Sequence, residues 1–124
     1  VIHIMKNQKN INTKGATMRL GSYPCTVFRD TKAYNAYGKT KIHERHRHRY
    51  EVNNKYKKDL VESGLIISGI NQELDLIEMV EISKHPWFVG VQFHPELKSR
   101  VVKAHPLFRD FISASINYSK NKYI

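Results

Sequence analysis

One run of residues constrains the fold more than any other, because basic residues and histidines alternate in it with a period of two. Residues 44–51 read Glu-Arg-His-Arg-His-Arg-Tyr-Glu, inside an alternating stretch over residues 42–52. Successive side chains of a β-strand point to opposite faces of a sheet, so this pattern predicts a strand. Such a strand separates two sets of side chains: Arg45, Arg47 and Arg49 on one face, and His46, His48 and Tyr50 on the other.

Two helices are predicted. Asn53 or Asn54 can cap a helix near residues 54–63, because an Asn side chain accepts hydrogen bonds from the amides of the first turn. A glycine follows where a left-handed residue closes a helix. A longer C-terminal helix is predicted at residues 106–118, where a proline occupies the first helical position and apolar residues recur along one side. Residues 119–124 form a polar tail that we expect to fray.

The remaining apolar segments predict short strands. Residues 74–82 also fit helical spacing, but their short length and branched side chains favour a strand. The fold class is therefore α/β, with several strands of a mixed sheet, a short helix and a C-terminal helix. Further strands are predicted at residues 1–5, 18–28, 65–70 and 87–93, and residues 6–14 read as a surface loop. The expected core includes Trp87 and Phe88, with Phe108, Phe111 and Ile112 packed on the sheet.

Length and composition exclude several classes of protein. The chain has 124 residues, of which 40% are hydrophobic, so it can form one domain with a core. It has no apolar run long enough for a membrane helix or a signal peptide. Its single cysteine rules out an internal disulfide and agrees with a reducing compartment. We expect a cytoplasmic protein, and the first residue, Val1, suggests a piece of a longer chain.

The net charge of +10 is concentrated in one half of the chain. Residues 1–58 hold 14 Lys or Arg against 3 Asp or Glu, whereas residues 59–124 are nearly neutral. One interpretation is a solvated basic strand. An alternative is a basic nucleic-acid-binding module without catalysis, since the dense part at residues 39–58 suits phosphate contacts and tyrosines near it could stack on bases.

The sharpest chemical feature is His94-Pro95-Glu96, directly after the apolar segment that ends at residue 93. Pro95 cannot donate to a sheet and restricts His94 to extended geometry, so the strand ends there. A carboxylate two positions after a histidine can fix one tautomer of the ring while its other nitrogen faces a cleft. His94 and Glu96 are therefore candidate catalytic residues, and the alternative is an ordinary turn.

A metal site and a catalytic cysteine are both considered and not favoured. His43, His46 and His48 could in principle share a metal ion, but zinc sites add Cys or another His at fixed spacing, which is not evident. No metal ligand is therefore assigned. Cys25 lies in Ser-Tyr-Pro-Cys-Thr-Val, and we expect it to be a half-buried strand residue.

Five segments, taken together and in this order, resemble the second half of the class I glutamine amidotransferase domain of CTP synthases. The likeness extends over residues 15–113, and residues 6–14 fit less well. The resemblance implies that the whole chain, residues 1–124, is the C-terminal half of such a domain, with its sheet completed by an N-terminal half. The segments are GATMRLG at 15–21, ERHRHRYEVN at 44–53, HPWFV at 85–89, QFHPE at 92–96 and HPLF at 105–108.

The same resemblance implies a function and residue roles. Members of the family hydrolyse glutamine at a Cys-His-Glu triad and pass ammonia to a synthase domain that aminates UTP at the expense of ATP. His94 matches the triad base and Glu96 the carboxylate that orients it. Arg49 matches the arginine that binds the α-carboxylate of glutamine, with Tyr50 beside it as a substrate-binding residue. A planar guanidinium suits this role because it grips a carboxylate at two points.

Two parts of the family's site are missing from this sequence. The nucleophile sits on a Gly-x-Cys-x-Gly elbow that Cys25 does not match, and the glycine-rich oxyanion segment is absent. The chain alone is therefore expected to be inactive. No cofactor is expected here, since ATP and Mg²⁺ belong to the synthase domain. The expected partners are glutamine, that domain and the N-terminal half, in a homo-oligomeric parent, with no membrane and no nucleic acid. Arg19 has no assigned role, and for Arg45, Arg47 and His48 two alternatives stay open, support of Arg49 or contact with the synthase domain.

Overall fold

The computed structural model describes residues 1–5 and 18–122 of the chain. The predicted loop at 6–14, the first three residues of the 15–21 motif and the last two residues of the tail lie outside these ranges. The elements are β1 (Ile2–Ile4), β2 (Arg19–Val27), α1 (Lys32–Tyr37), β3 (Lys41–His48), β4 (Tyr50–Val52), α2 (Lys57–Glu62), β5 (Ile66–Asn71), β6 (Leu76–Glu81), β7 (Val89–Val91) and α3 (Pro106–Lys122), with 3-10 turns at Asn54–Tyr56 and Pro95–Leu97.

Seven strands form two sheets within the described residues. The larger sheet has the order β3-β2-β5-β6-β7, and the smaller one pairs β1 with β4. Every pair among these strands is antiparallel. The architecture agrees with the predicted α/β class and its two helices, but the described strands by themselves do not form the mixed sheet that the sequence predicts.

The alternation along β3 is confirmed. Glu44 and His46 are buried, whereas Arg45 and Arg47 on the opposite face are exposed. The predicted strand does not run unbroken to residue 52, because β3 ends at His48, and the next strand, β4, pairs with β1 in the other sheet. The basic face of the run is therefore solvated and its histidine face is turned into the protein.

The core lies between the larger sheet and helices α1 and α3. Gly69 on β5 is required there, because a Cβ at this position would come within 2.8 Å of the Cys25 sulfur and of the Met79 side chain. Cys25 is only 2% exposed, so the expectation of a half-buried cysteine is wrong. The buried cluster is Cys25, Val27, Ala33, Ala36, Ile42, Met79, Phe93 and Leu107.

Helix α1 is a correction to the sequence prediction, which has no helix between residues 28 and 42. Its N-terminus is capped by Thr31, whose hydroxyl oxygen accepts from the amide of Tyr34 at 3.0 Å. Glu81 of β6 accepts from the amides of Lys32 and Ala33, which places a negative charge at the positive end of the helix. A six-residue helix of this kind is stabilised mainly by tertiary contacts and leaves little periodic signal.

The C-terminal helix also differs from expectation. It continues to Lys122, four residues beyond the predicted end at residue 118. Its apolar side was predicted to pack on the sheet, yet Phe108, Phe111 and Ile112 are 39%, 49% and 54% exposed, and only Leu107 of this helix is buried. Phe88, predicted in the core, is 42% exposed. Within the described ranges, none of the helices has the length and apolar character that crossing a bilayer requires.

The remaining predictions of secondary structure hold. Asn53 accepts from the amide of Lys55 at 3.0 Å and caps the 3-10 turn that leads into α2. Gly64 follows α2 with a φ of 99°, as expected for the residue that closes a helix. Residues 74–82 contain strand β6 rather than a helix.

Candidate active site

His94 and Glu96 are brought together at the end of β7. The amide of His94 donates to the carbonyl of Arg45 at 2.9 Å, which ties this end of the chain to β3. The 3-10 turn at Pro95–Leu97 then folds back, and His94 Nδ1 lies 2.6 Å from Glu96 Oε1. Strand β7 ends at Val91, before the predicted end at residue 93, and Pro95 starts the turn, so the local sequence itself creates the pair.

The His94–Glu96 pair is exposed to solvent, and the hydrogen bond between the two side chains favours the ionised form of Glu96. The side chains of His94 and Glu96 are 38% and 57% exposed. The hydrogen bond from His94 holds the pKa of the Glu96 carboxyl below its usual value. An ionised carboxylate accepts only, so Nδ1 of His94 donates and the lone pair resides on Nε2, where it can take up a proton. This geometry equips His94 as a general base.

A second carboxylate anchors the turn that carries the pair. Lys98, next to the turn, donates from Nζ to the carbonyl of His43 and lies 3.8 Å from Glu44. Buried Glu44 accepts from the hydroxyl of Tyr37 at 2.9 Å and from Nε2 of His105 at 2.8 Å. The Nδ1 atom of His105 accepts from the amide of Leu107, so the proton of the neutral ring is on Nε2, which donates to Glu44. The start of α3 and the His94 turn are thus tied to β3.

Arg49 and Tyr50 lie where the two sheets meet. Arg49 is the single residue between β3 and β4, and its carbonyl accepts from the amide of Met5 at 2.9 Å. Tyr50 is 50% exposed. Along the chain, Arg49 is four residues beyond Arg45, the backbone partner of His94. Arg49, which directly follows β3, and His94, which is bonded to β3, are therefore attached to the same strand, whereas Tyr50 begins β4.

A buried polar cluster under β3 is not found by the sequence prediction. Arg19 and Glu78 form an ion pair of 2.5 Å with side chains 2% and 0% exposed. His46 Nδ1 lies 3.7 Å from Glu78 Oε2 and 2.7 Å from His48 Nε2. The sequence holds one indication of this cluster: Glu78 lies inside the apolar run Leu76–Glu81, and a carboxylate on a buried strand needs a charged or hydrogen-bonding partner. We refer to Arg19, His46, His48 and Glu78 as the buried polar cluster.

Burial dominates the electrostatics of this cluster. It raises the pKa of Glu78 to about 7, although the neighbouring Arg19 guanidinium acts in the opposite direction. It lowers the pKa of His46 to about 3, helped by the positive charge of Arg19. The pKa of His48 is lowered for the same two reasons. The two histidines are therefore neutral at pH 7.

The predicted histidine set of residues 43, 46 and 48 is not assembled, because His43 is exposed on the opposite face of β3 from His46. His46, His48 and Glu78 do present ligand atoms within 4.8 Å of one another. However, the Arg19 guanidinium already pairs with Glu78, and a cation there would meet its positive charge. The arrangement fits a hydrogen-bonded cluster better than a metal site.

Cys25 has the wrong environment for a nucleophile. Burial raises the pKa of its thiol to about 12, with the Glu78 and Glu44 carboxylates acting in the same direction. The reactive form of cysteine is the thiolate, which is favoured by nearby positive charge and partial exposure. Cys25 is therefore an inert core thiol at neutral pH.

The largest concave region described, of about 620 Å³, lies beside the smaller sheet. Its lining comes from both sheets and from the turn between β5 and β6, and includes His3, Arg19, Tyr23, Glu51 and Leu76. Neither His94 nor Arg49 lines it. Size alone thus does not locate the histidine–carboxylate pair, which lies on an open surface.

Comparison with known proteins gives a consistent result. The family model "Glutamine amidotransferase class-I" matches residues 2–114, and the chain belongs to this family. It is 58% identical over 123 residues to a CTP synthase of Clostridium kluyveri and 54% identical over 122 residues to one of Trichlorobacter lovleyi. These matches cover 99% and 98% of this chain but 23% of each relative, so the chain spans about a quarter of their length.

A solved structure agrees with the sequence matches. The glutaminase domain of Trypanosoma brucei CTPS, with bound acivicin, superposes with a TM-score of 0.83 and 33% sequence identity. The match covers 94% of this chain and 46% of that domain. The resemblance on which the sequence prediction rests is thereby confirmed, as is the predicted fold class.

Proposed function

We propose that this chain is the C-terminal half of the glutaminase domain of a CTP synthase, an enzyme that makes CTP from UTP, ATP and glutamine. In this role His94 is the general base that takes the proton of the nucleophilic thiol and returns one to the leaving ammonia. Glu96 orients the ring of His94. The similarity to CTP synthases over nearly the whole chain supports the assignment.

The observation that carries the proposal is the His94–Glu96 pair itself. A distance of 2.6 Å between Nδ1 and Oε1 fixes the ring, and the exposed side chain leaves Nε2 within reach of a thiol supplied by another segment. General bases of this kind are fixed by a carboxylate on the far nitrogen. An ordinary turn would not require the carboxylate to face the ring.

We assign the binding of the glutamine α-carboxylate to Arg49, with Tyr50 next to it. A guanidinium can donate two parallel hydrogen bonds to a carboxylate, which fixes both the position and the orientation of the substrate. Loss of such a contact costs roughly 1.5–3 kcal/mol of binding free energy. Replacing Arg49 by Met should therefore raise KM for glutamine.

The nucleophile and the oxyanion hole are assigned to an N-terminal half of the domain. Cys25 cannot supply the thiol because it is buried in the core with a raised pKa. We propose that the chain alone does not hydrolyse glutamine, and that ATP and Mg²⁺ act in a separate synthase domain. The nucleic-acid alternative is supported by charge alone, and we do not propose it.

A chimeric enzyme tests the proposal. This chain replaces the matching segment of the Clostridium kluyveri CTP synthase, and CTP formation is measured with glutamine and, separately, with ammonium salts. The change His94→Ala should lower the glutamine-dependent rate by about 10²–10⁴-fold, the contribution expected of a general base, and spare the ammonia-dependent rate. The matched control is His43→Ala, which alters an exposed histidine on β3 and should change neither rate. Equal loss of both activities in His94→Ala would show that His94 is structural.

A further inference from the structure

The main chain is interrupted beside the proposed glutamine-binding arginine. Strand β3 pairs with β2 as far as the Arg19–His48 register, and β4 pairs with β1 from Tyr50 onward. Along the chain, Arg49 is the one residue between β3 and β4, which belong to different sheets. Its carbonyl accepts from the amide of Met5, and a further contact that spans the two residues flanking Arg49 would fix its backbone more closely.

His48 supplies a contact across this interruption. Its Nδ1 atom lies 2.9 Å from the carbonyl oxygen of Tyr50, so Nδ1 donates and the bond bridges the residues on either side of Arg49. The other nitrogen of the ring, Nε2, lies 2.7 Å from Nδ1 of His46. Because a neutral ring has one donor and one acceptor, the first bond makes Nε2 an acceptor and His46 Nδ1 the donor.

His46 is in turn held by the core under His94. Its ring meets Phe93, the residue before His94, edge to face at a centroid distance of 5.8 Å, and it meets Tyr23 in the same way at 5.4 Å. His46 is fully buried, and Glu78 lies 3.7 Å from its Nδ1 atom. A continuous series of contacts therefore runs from Phe93 through His46 and His48 to the backbone next to Arg49.

We propose that His48 is a positioning residue: by donating to the Tyr50 carbonyl, with its tautomer fixed by His46, it orients Arg49 for glutamine relative to His94. The inference rests on the proposed function, since it assigns a role only if Arg49 binds glutamine. His48 does not contact substrate in this scheme and acts on binding rather than on the chemical step.

Three changes at one position separate the two hydrogen bonds of His48. His48→Ala removes both bonds. In His48→Asn the amide nitrogen can occupy the place of Nδ1 and keep the bond to Tyr50. In His48→Gln the longer side chain can keep the contact with His46 but not the one with Tyr50. All three are made in the chimeric enzyme described above, and KM for glutamine, kcat and the ammonia-dependent rate are measured.

His48→Ala and His48→Gln should raise KM for glutamine about tenfold, the effect of one hydrogen bond, with a smaller change in kcat. His48→Asn should restore KM to within about twofold of the unmodified chimera, and the ammonia-dependent rate should stay constant in all three. An unchanged KM in His48→Ala, or equal loss of both activities in all three variants, would overturn the positioning role. If the unmodified chimera made CTP from ammonia and not from glutamine, the proposed function itself would fail, and this inference with it.

Discussion

His94–Glu96 and His46–Glu78 are both histidine–carboxylate pairs, but they lie in opposite environments. The first has a 2.6 Å contact and is partly exposed, and its hydrogen bond lowers the pKa of Glu96. The second has a 3.7 Å separation and no exposure, and burial raises the pKa of Glu78 and lowers that of His46. The comparison shows that the same two residue types give a short, solvated hydrogen bond at the surface and a longer, fully buried contact in the core.

The difference follows from where charge can be stabilised. At the surface, water solvates Glu96 and the hydrogen bond from His94 fixes the ring at little cost in desolvation. In the core, burial itself disfavours a charged histidine and the guanidinium of Arg19 adds repulsion, so His46 stays neutral. The buried pair therefore depends on Arg19, whereas the exposed pair is formed within one turn, which β3 anchors through its backbone.

The largest expected change comes from removing Arg19. In Arg19→Met, Glu78 loses its cation in a fully buried site, and the local opening free energy of β6 should fall by about 3–5 kcal/mol. Amide hydrogen exchange in the chimeric enzyme measures this opening free energy of β6. The double change Arg19→Met with Glu78→Leu should recover most of the loss, because no buried charge is left. A double variant as unstable as the single one would contradict the ion-pair account. The control is Arg47→Met on the exposed face, which should change the opening free energy of β6 by less than about 0.5 kcal/mol.

A change in pH should change the stability of the folded chain by an amount between the other two effects. Folding lowers the pKa of His46 from 6.5 to about 3, so between these values the unfolded chain binds a proton that the folded chain does not. The stability due to His46 therefore rises with pH over this range, by up to about 1.4 kcal/mol per unit, and is constant above pH 6.5. Glu78 acts in the opposite direction between pH 4.5 and about 7, because its folded pKa is raised.

The difference between the unmodified chain and His46→Gln isolates the histidine contribution. Hydrogen exchange of β3 in the chimeric enzyme, corrected for the intrinsic exchange rate at each pH, should show this difference shrinking as pH falls from 6.5 to 5. A difference that does not depend on pH would mean that folding leaves the pKa of His46 unchanged, which would contradict the burial argument. The groups that face His46 and set its charge are Arg19, His48, Glu78 and His94.

The smallest expected change in stability comes from the exposed pair. Glu96→Gln removes the carboxylate from a partly solvated contact, so the local stability at β7 should change by less than about 1 kcal/mol. The glutamine-dependent rate should nevertheless fall, while the ammonia-dependent rate is kept, because the ring of His94 loses the group that orients it. A large loss of protection at β7 without any loss of glutamine-dependent activity would reverse the distinction between the two pairs.

The local sequence predicted the His94–Glu96 pair but not the buried Arg19–Glu78 ion pair. Glu96 lies two residues after His94, and the proline between them starts a turn, so the sequence alone places the carboxylate beside the ring. Arg19 and Glu78 are 59 positions apart, and only the pairing of β2 with β5 and of β5 with β6 brings them into one layer. Neither residue carries a local pattern that specifies its partner.

The helices show the same contrast between features that depend on nearby residues, which the sequence predicted, and features that depend on distant residues, which it did not. The cap of the 3-10 turn at Asn53 and the glycine after α2 could be read directly, since both depend on neighbours within a few residues. Helix α1 could not, because its N-terminus is completed by Glu81 from a strand nearly fifty residues away. The exposed apolar side of α3 was also beyond the sequence pattern, since periodicity shows that a face is apolar but not what covers it.

By itself, the sequence determined the alternating strand, the turn at Pro95, the His94–Glu96 pair and the family likeness. These features depend on residues close together in the chain or on fixed motifs, where local backbone geometry leaves few alternatives. Only the tertiary structure decided that His46 is buried and His48 half-buried, that both are neutral, that Arg19 pairs with Glu78 and that Cys25 is an inert core thiol. Charge state in a protein depends on solvent access and on partners from other strands, and those are set when the sheet assembles.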